Sequence, residues 1–250
     1  PHVRSDRQLP AYPATASPSS RKGSILSALF PKWTNKLPAF LALGAGAAGL
    51  FVVSVVYYWF SPKHTDVGYA PYQPIDYSHK LHAGSLGMDC RYCHRHVEEG
   101  PYASIPDSET CMGCHRQVKK DSVALRPLYE AYGDGGPTSK PIEWVKVHLL
   151  PNYAYFNHAA HLRANVGCAS CHGRIDQMEI VRQVEPLSMG WCLECHRDPT
   201  PHLRPLDVSP TQMDWTPTPE SMAAARARLE WHGDVAPEIN PPTHCSGCHR

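Results

Sequence analysis

The hydrophobic pattern of the chain is dominated by one long apolar run near its start. From Leu37 to Phe60 there are 24 consecutive residues without a charged side chain. As an α-helix this run is about 36 Å long, and about 20 apolar residues suffice to cross the hydrocarbon core of a membrane. It ends in an aromatic cluster typical of a membrane interface, Tyr57, Tyr58 and Trp59. The pattern predicts a transmembrane anchor over 37–60. A buried core helix and a cleaved signal peptide are the alternatives, and both are usually shorter.

Beyond residue 60 the pattern breaks into short segments. The chain has 25 Pro in 250 residues, and proline interrupts both helices and sheet ladders. The clearest helix is Pro219–Trp231, where Thr218 stands at the N-cap and the proline suits the first turn. The run from Trp144 to Pro151 is strand-like, and Gly133–Gly136 predicts a loop. We therefore expect short α-helices and irregular loops rather than a regular side-chain core.

The charges are unevenly distributed along the chain. The formal net charge is only +1, so no basic excess indicates a nucleic-acid partner. Residues 1–60 hold six basic groups and one acid, whereas residues 61–250 hold 18 basic and 22 acidic groups. Because basic residues flank the cytoplasmic side of membrane helices, this asymmetry predicts a single-pass protein of the inner (cytoplasmic) membrane. Residues 1–36 would form a cytoplasmic tail, 37–60 the anchor and 61–250 a periplasmic domain.

All ten cysteines belong to five Cys-x-x-Cys-His motifs, and no cysteine is left over. In chain order the motifs comprise Cys90, Cys93 and His94; Cys111, Cys114 and His115; Cys168, Cys171 and His172; Cys192, Cys195 and His196; Cys245, Cys248 and His249. This is the attachment motif of c-type haem, in which two thiols bond the haem vinyl groups and the histidine binds the iron. Structural zinc is the main alternative, but zinc gives no reason for a histidine after every pair. The motifs predict five covalently attached haem c groups.

Two of the motifs are preceded by the same short pattern of aromatic, small polar, His, two residues, His. It occurs at 77–82, ahead of the first motif, and at 156–161, ahead of the third. The chain thus predicts two dihaem modules, at about 77–116 and 156–197, and a fifth haem at 245–249. The predicted fold is one N-terminal transmembrane helix plus a multihaem cytochrome c domain. Its short α-helices and irregular loops would wrap around five haems.

Five histidines outside the motifs are candidate sixth ligands for the five irons: His79, His82, His148, His158 and His161. A surface or supporting role is the alternative for each of them, and most of all for His148, which stands outside the two pairs. Histidines three apart share one face of a helix, so each pair can reach two neighbouring haems. Weaker candidates are His96 and the thioethers of Met178, Met189 and Met213.

The layout resembles that of the small trihaem and tetrahaem periplasmic cytochromes. In those proteins the first histidine of such a pair serves the haem whose motif follows it. The resemblance implies that His79 binds the haem on His94 and that His158 binds the haem on His172. His82 and His161 would then serve two other haems.

A closer resemblance is carried by the segments VHLLPNYAYFNHAAHLRANVGCASCHGRIDQM and LSMGWCLECHR, together with the anchor and the five motifs. The chain resembles the pentahaem cytochrome c subunit of bacterial alternative complex III over about residues 37–250, most specifically over 144–197. The resemblance implies an iron–sulfur subunit related to molybdopterin oxidoreductases and polytopic quinol-binding membrane subunits as partners. It also implies a monohaem cytochrome c or another acceptor, and electron flow from menaquinol toward that acceptor.

The sequence favours an electron-transfer subunit without substrate chemistry of its own. The alternative is an enzyme, either a multihaem reductase or a quinol dehydrogenase acting alone. An enzyme haem needs an open iron position, but all five motifs end in histidine and five further histidines can close the irons. A storage or scaffold role is less compatible with five linked redox groups. No catalytic residue is therefore predicted.

Overall fold

The structure, a computed structural model, describes residues 31–250 apart from residues 135, 137, 139, 231, 233 and 250. The chain divides between Ser54 and Val55 into two compact units. Most of the predicted cytoplasmic tail, residues 1–30, lies outside the described residues.

The apolar run forms one continuous helix, α1 (Leu37–Trp59), which follows a 3-10 turn at Lys32–Lys36. No residue of α1 is buried, and the mean hydropathy of its most apolar window is 2.3. A helix that is apolar on every side suits a lipid environment. Within the described part of the chain, this is the one helix long and apolar enough to cross a membrane. The apolar run predicted to be the anchor is thus found as a helix, which ends one residue early.

Short helices alternate with irregular loops after Val55, as the proline-rich sequence predicts. The helices are α2 (Pro62–Thr65), α3 (Cys90–Cys93), α4 (Ser108–His115), α5 (Arg126–Tyr132), α6 (His158–Arg163), α7 (Ala169–His172), α8 (Met189–Arg197), α9 (Pro219–Ala227) and α10 (Cys245–Cys248). A π-helical turn, Lys80–Ser85, follows His79. Three further turns are 3-10: Val123–Leu125, Ile175–Gln177 and Thr200–His202. Among the described residues, extended segments meet only as isolated bridges, such as Ala154 with His249 and Val166 with Leu203.

Two local predictions were wrong. The run Trp144–Pro151 forms no strand, because the side-chain amide of Gln73 occupies both backbone groups of Val145 in place of a neighbouring strand. The helix predicted over Pro219–Trp231 begins as expected, with a capping box between Thr218 and Ser221, but ends at Ala227.

The side-chain core of the second unit is small. Its main cluster contains Ile75, Met112, Leu128 and Tyr132, which lie between α4 and α5 or pack against them. Partly buried side chains extend the cluster, among them Cys111 and Trp144. The cluster therefore supports the helix that carries the second Cys-x-x-Cys-His motif.

A second well-packed region surrounds the third motif. The segment 203–214 folds back over residues 164–168, where Val166 and Leu203 form a bridge. The Asn165 side chain is buried and donates to the carbonyls of Pro205 (2.6 Å) and Val208 (3.2 Å). Asn165 also has a positive φ of 62°, a conformation that asparagine tolerates better than most residues. Segment 203–214 thus holds the backbone just before Cys168.

The cluster around α5 makes a stability prediction. Leu128 is 2 % exposed, so Leu128→Ala should lower the free energy of unfolding by about 2–5 kcal/mol through lost burial and a residual cavity. Val123 is 79 % exposed, and Val123→Ala should change it by less than about 0.5 kcal/mol. Denaturant unfolding of the two variants measures the difference. Equal destabilisation by both would show that the cluster is not a core.

Candidate haem-attachment centres

Each Cys-x-x-Cys-His motif lies on or at the start of a helical turn. On such a turn, residues three apart share a face, so the two thiols of one motif point to the same side. Side chains just before the motifs start several of these turns. Asp89 accepts from the backbone N–H of Arg91 at 2.8 Å and Asp107 from that of Thr110 at 2.8 Å. The local sequence thus forms a two-thiol face at each motif, and all ten thiols are free.

Four of the five motif histidines have the same hydrogen bond at Nδ1. The accepting backbone carbonyls are Ser104 for His94 (2.6 Å), Val118 for His115 (3.0 Å), Pro242 for His196 (2.7 Å) and Tyr153 for His249 (3.0 Å). A carbonyl only accepts, so Nδ1 carries the proton and Nε2 keeps its lone pair. Metal-bound histidines are typically oriented in this way. The arrangement fits iron binding through Nε2.

The two His-x-x-His pairs have matching geometry. The Tyr77 ring stacks on His82 at 4.5 Å between ring centres and meets His79 edge-on at 4.8 Å. In the second copy, Phe156 stacks on His161 at 4.5 Å and meets His158 edge-on at 4.7 Å. The second histidine of each pair also donates from Nδ1 to the carbonyl four residues earlier, Ser78 and Asn157, at 2.8 Å. One aromatic ring thus orients both histidines in each copy.

The second histidine of each pair faces the second motif of its own module. The ring centres of His82 and His115 are 6.3 Å apart, and those of His161 and His196 are 6.0 Å apart. Two imidazoles whose nitrogens each lie about 2 Å from a shared metal have ring centres about 6 Å apart. In both pairs the two Nδ1 atoms are hydrogen-bonded to the backbone, so both Nε2 atoms remain available. These residues fit the two sides of one haem iron.

The remaining candidates lie in a cluster around the first and third motifs. The ring of His148 meets His172 edge-on at 4.4 Å, and His158 also lies near His172, since both histidines add to the lowering of the His172 pKa by burial. His158 donates from Nδ1 to the carbonyl of Pro101, in the loop after the first motif, at 2.8 Å. Three ring nitrogens in this cluster are buried without a hydrogen-bond partner: His79 Nδ1, His148 Nε2 and His172 Nδ1. Unpaired buried ring nitrogens are compatible with a ligand that the protein atoms do not supply.

Burial keeps most of the distal candidates neutral. It lowers the pKa of His79 to about 4, with smaller contributions from His94 and His82. Burial also lowers the pKa values of His148, His158 and His161. The neutral imidazole is the form that binds a metal. These four side chains therefore have the protonation state that ligation requires at neutral pH.

Interactions between cysteine thiols show which Cys-x-x-Cys-His motifs lie next to each other in space. Burial raises the pKa of Cys111, and the Cys93 thiol adds to the rise, so the second motif lies beside the first. The hydrogen bond between the Cys90 and Cys168 thiols raises the pKa of Cys168, which places the first motif beside the third. The backbone around them agrees, because Thr211 donates to Asp89 at 3.0 Å while the Cys168 N–H donates to Pro210 at 3.0 Å.

The order continues through the second module. Burial raises the pKa of Cys171 to about 12, and the Cys195 and Cys192 thiols of the fourth motif contribute. Burial also raises the pKa of Cys192, with a contribution from Cys248 of the fifth motif. The row of sites therefore runs second, first, third, fourth, fifth. The two exposed cysteines, Cys114 and Cys245, belong to the motifs at its two ends.

The weaker sequence candidates differ in their exposure. His96 pairs with Glu99 at 2.9 Å and is exposed, whereas Met178 and Met213 are buried and Met189 is exposed. Sequence reasoning missed the carbonyls that orient the histidines and the buried side chain of Arg204. The aromatic residue before each His-x-x-His pair was visible in the repeat, but its stacking role was not.

Comparison with known proteins finds a relative that, by its name, carries haem. No family model matches the chain. Over 131 residues the chain is 33 % identical to a protein of Nitratidesulfovibrio vulgaris named menaquinone reductase, multiheme cytochrome c subunit. The match covers 51 % of this chain and 59 % of the relative, so the chain spans less than two thirds of that relative's length. By its name, that relative is a multihaem cytochrome c and a subunit of menaquinone reductase.

The close packing of the turn after His82 leads to a testable prediction. A Cβ at Gly84 would collide with the backbone carbonyl of Asp176, whereas a Cβ at Gly100 would meet open space. Gly84→Ala should therefore destabilise the protein by about 1–3 kcal/mol through overpacking. Gly100→Ala should be tolerated. Thermal unfolding followed by circular dichroism measures both, and an unchanged melting temperature for Gly84→Ala would contradict the close packing of this turn.

Proposed function

We propose that this chain is a membrane-anchored pentahaem c-type cytochrome that carries electrons between a quinone-linked membrane complex and a periplasmic redox partner. The observation that carries the proposal is the set of five Cys-x-x-Cys-His motifs, whose thiols adjoin one another in a single row. The similarity to a multihaem cytochrome c subunit of menaquinone reductase supports it independently. Residues 1–36 would lie in the cytoplasm, 37–60 in the inner membrane and 61–250 in the periplasm.

Each motif would hold one haem c through two thioether bonds and one imidazole. The ten motif cysteines provide the thioethers, and the five motif histidines provide the first ligand of each iron. When bound, the haem irons supply one-electron oxidation and reduction. The chain's own residues fix the orientation of each imidazole through the Nδ1 hydrogen bonds and the stacked aromatic rings.

The second ligands are assigned from the ring geometry. We assign His82 to the iron on His115 and His161 to the iron on His196, because the ring separations of 6.3 and 6.0 Å leave space for a shared metal. His79, His148 and His158 would serve the irons on His94 and His172, since they lie in the cluster around the first and third motifs; the described ring contacts place none of them against His249. An iron held by two imidazoles leaves no position for a substrate, which favours electron transfer over substrate chemistry.

The partners follow from the resemblance and the relative. A subunit of a menaquinone reductase works within a complex, which supports membrane-complex partners for this chain. The finer assignment, to a complex like alternative complex III, rests on the segments around 144–197. It would add an iron–sulfur subunit related to molybdopterin oxidoreductases, polytopic quinol-binding subunits and a monohaem cytochrome c or other acceptor.

A second candidate function reverses the direction of electron flow. The name of the Nitratidesulfovibrio vulgaris relative states reduction of menaquinone, whereas the alternative complex III resemblance implies oxidation of menaquinol. The row of sites serves either direction, since both of its end motifs have an exposed cysteine. A third possibility, a quinol dehydrogenase or reductase that acts alone, requires an open iron.

The direction is tested on the complex purified through a tag on this chain. Oxidised complex is mixed with a menaquinol analogue, and reduced complex with the matching menaquinone, while the haem absorption band is recorded. Haem reduction by the quinol supports flow toward a periplasmic acceptor, and haem oxidation by the quinone supports the reverse direction. Redox activity of the isolated chain with its own small substrate would favour the enzyme alternative.

The haem number is tested by mass. The denatured chain should keep its colour and carry the mass of five haems, and Cys192→Ala with Cys195→Ala should remove one of them. Intact-protein mass spectrometry and the pyridine haemochrome absorbance measure the two quantities. A bare polypeptide or bound zinc would exclude the proposed function.

The assignment of His161 predicts a local change at one iron. His161→Ala should have one more high-spin haem that binds carbon monoxide than the wild type has. His202→Ala is the control, because His202 faces none of the motif histidines in the described ring contacts. Electron paramagnetic resonance and optical difference spectra distinguish the variants. The same number of low-spin haems in His161→Ala as in the wild type, with no replacement ligand, would refute the assignment.

A further inference from the structure

Arg204 is a buried cation without a carboxylate partner. Its side chain is 2 % exposed and is one of the two largest fully buried side chains among the described residues. Nη1 donates to the carbonyls of Ser209 at 2.7 Å and Gln212 at 2.5 Å, but Nε is buried and has no hydrogen-bond partner. In the described part of the chain the guanidinium forms no ion pair; burial lowers its pKa, although the Asp214 carboxylate is near enough to favour its charged form. Arginine does not lose its proton in proteins, so a full positive charge is retained here.

The guanidinium is fixed beside the third motif. It lies over the Trp215 ring, 5.2 Å from the ring centre. On its other side it lies so close to Gly167 that any Cβ there would collide with it. Gly167 precedes Cys168, whose thiol is hydrogen-bonded to that of Cys90. The charge therefore lies next to the place where the first and third motifs meet.

This position is in the inner part of the row of sites, away from its two ends. A fixed positive charge favours the reduced state of a nearby redox group, because reduction adds a negative charge. The effect is larger where water is excluded from the charge. A charge about 10 Å away at an effective dielectric constant of about 20 changes a one-electron equilibrium by roughly tenfold.

We propose that Arg204 is a positioning and tuning residue whose buried charge raises the midpoint potentials of the haems held by the first and third motifs. The inference rests on the proposed pentahaem function, because it needs haem at Cys90/Cys93 and Cys168/Cys171. Its consequence is that the first and third sites accept electrons more readily than their ligand sets alone would allow. Electrons crossing the row then meet a smaller rise in energy at its centre.

The nearby Arg228 provides a matched control. It packs against the same segments, because it donates to the backbone carbonyls of Arg204 at 3.3 Å and Ala164 at 3.4 Å. Unlike Arg204, it has a carboxylate partner, Glu238, at 2.7 Å. Removing the Arg228 charge therefore disturbs the same packing but removes a cation that is already in an ion pair.

The test is a spectroelectrochemical redox titration of the full-length, haem-loaded protein. Arg204→Gln should lower the reduction equilibrium constant of one or two of the five haems about tenfold, which is about 59 mV for one electron, and leave the others unchanged. Arg204→Lys keeps the charge and should keep most of the potential. Arg228→Gln should shift none of the five. If Arg204→Gln does not accumulate, Arg204→Met removes the charge with a side chain that needs no hydrogen-bond partner.

The possible results separate this proposal from the proposed function. Five unchanged potentials in both neutral variants, an equal fall in Arg204→Lys, or the same shift in Arg228→Gln would each overturn the tuning role. Loss of a haem in the neutral variants would overturn it too, because Arg204 would then serve attachment. A wild-type chain without covalent haem would instead overturn the proposed function, and this inference with it.

Discussion

A hydrogen bond from the Nδ1–H of a histidine to a backbone carbonyl recurs through the second unit, and the rest of the candidate site depends on it. It determines which nitrogen carries the proton and which keeps its lone pair. It also fixes the plane of the ring before any ligand is present. The acceptor is often distant in sequence, as for His196 with Pro242 or His249 with Tyr153. The same bonds that orient the candidate ligands therefore also join separate loops of the chain.

This helps to explain how a chain with so small a side-chain core can still be ordered. The described residues bury one modest cluster around Leu128 and a second region around Asn165 and Leu203. Elsewhere, hydrogen bonds join separate loops, such as those between Gly68 and Gln183 and between Gln73 and Val145. Under the proposed function, five flat apolar groups would supply the missing buried surface. The many prolines then limit the loops to the few conformations that such packing needs.

The row of Cys-x-x-Cys-His motifs would suit both stability and, under the proposed function, electron transfer. Under the proposed function, sites that adjoin one another would allow electrons to move between neighbours, and irons held by two imidazoles would exclude a substrate. The exposed cysteines at both ends of the row indicate where partners could exchange electrons. The buried charge of Arg204 lies at the inner sites instead, where a partner protein could not supply it.

Local spacing in the sequence determined the chemistry of this protein. The apolar run at 37–60, the five Cys-x-x-Cys-His motifs and the repeated His-x-x-His pairs are short-range patterns, so they were readable without a fold. Capping residues such as Thr218 were equally local. The end of α9 and the irregular run Trp144–Pro151 could not be read from local sequence. Contacts such as that between Gln73 and Val145 join residues 72 positions apart. Likewise, only the tertiary structure decided that His82 faces His115 and that the first motif lies between the second and the third. It also decided that Arg204 is buried without an ion-pair partner among the described residues. These features depend on contacts between segments far apart in the chain, such as Asp89 with Thr211 at a separation of 122 residues, and no spacing rule encodes them.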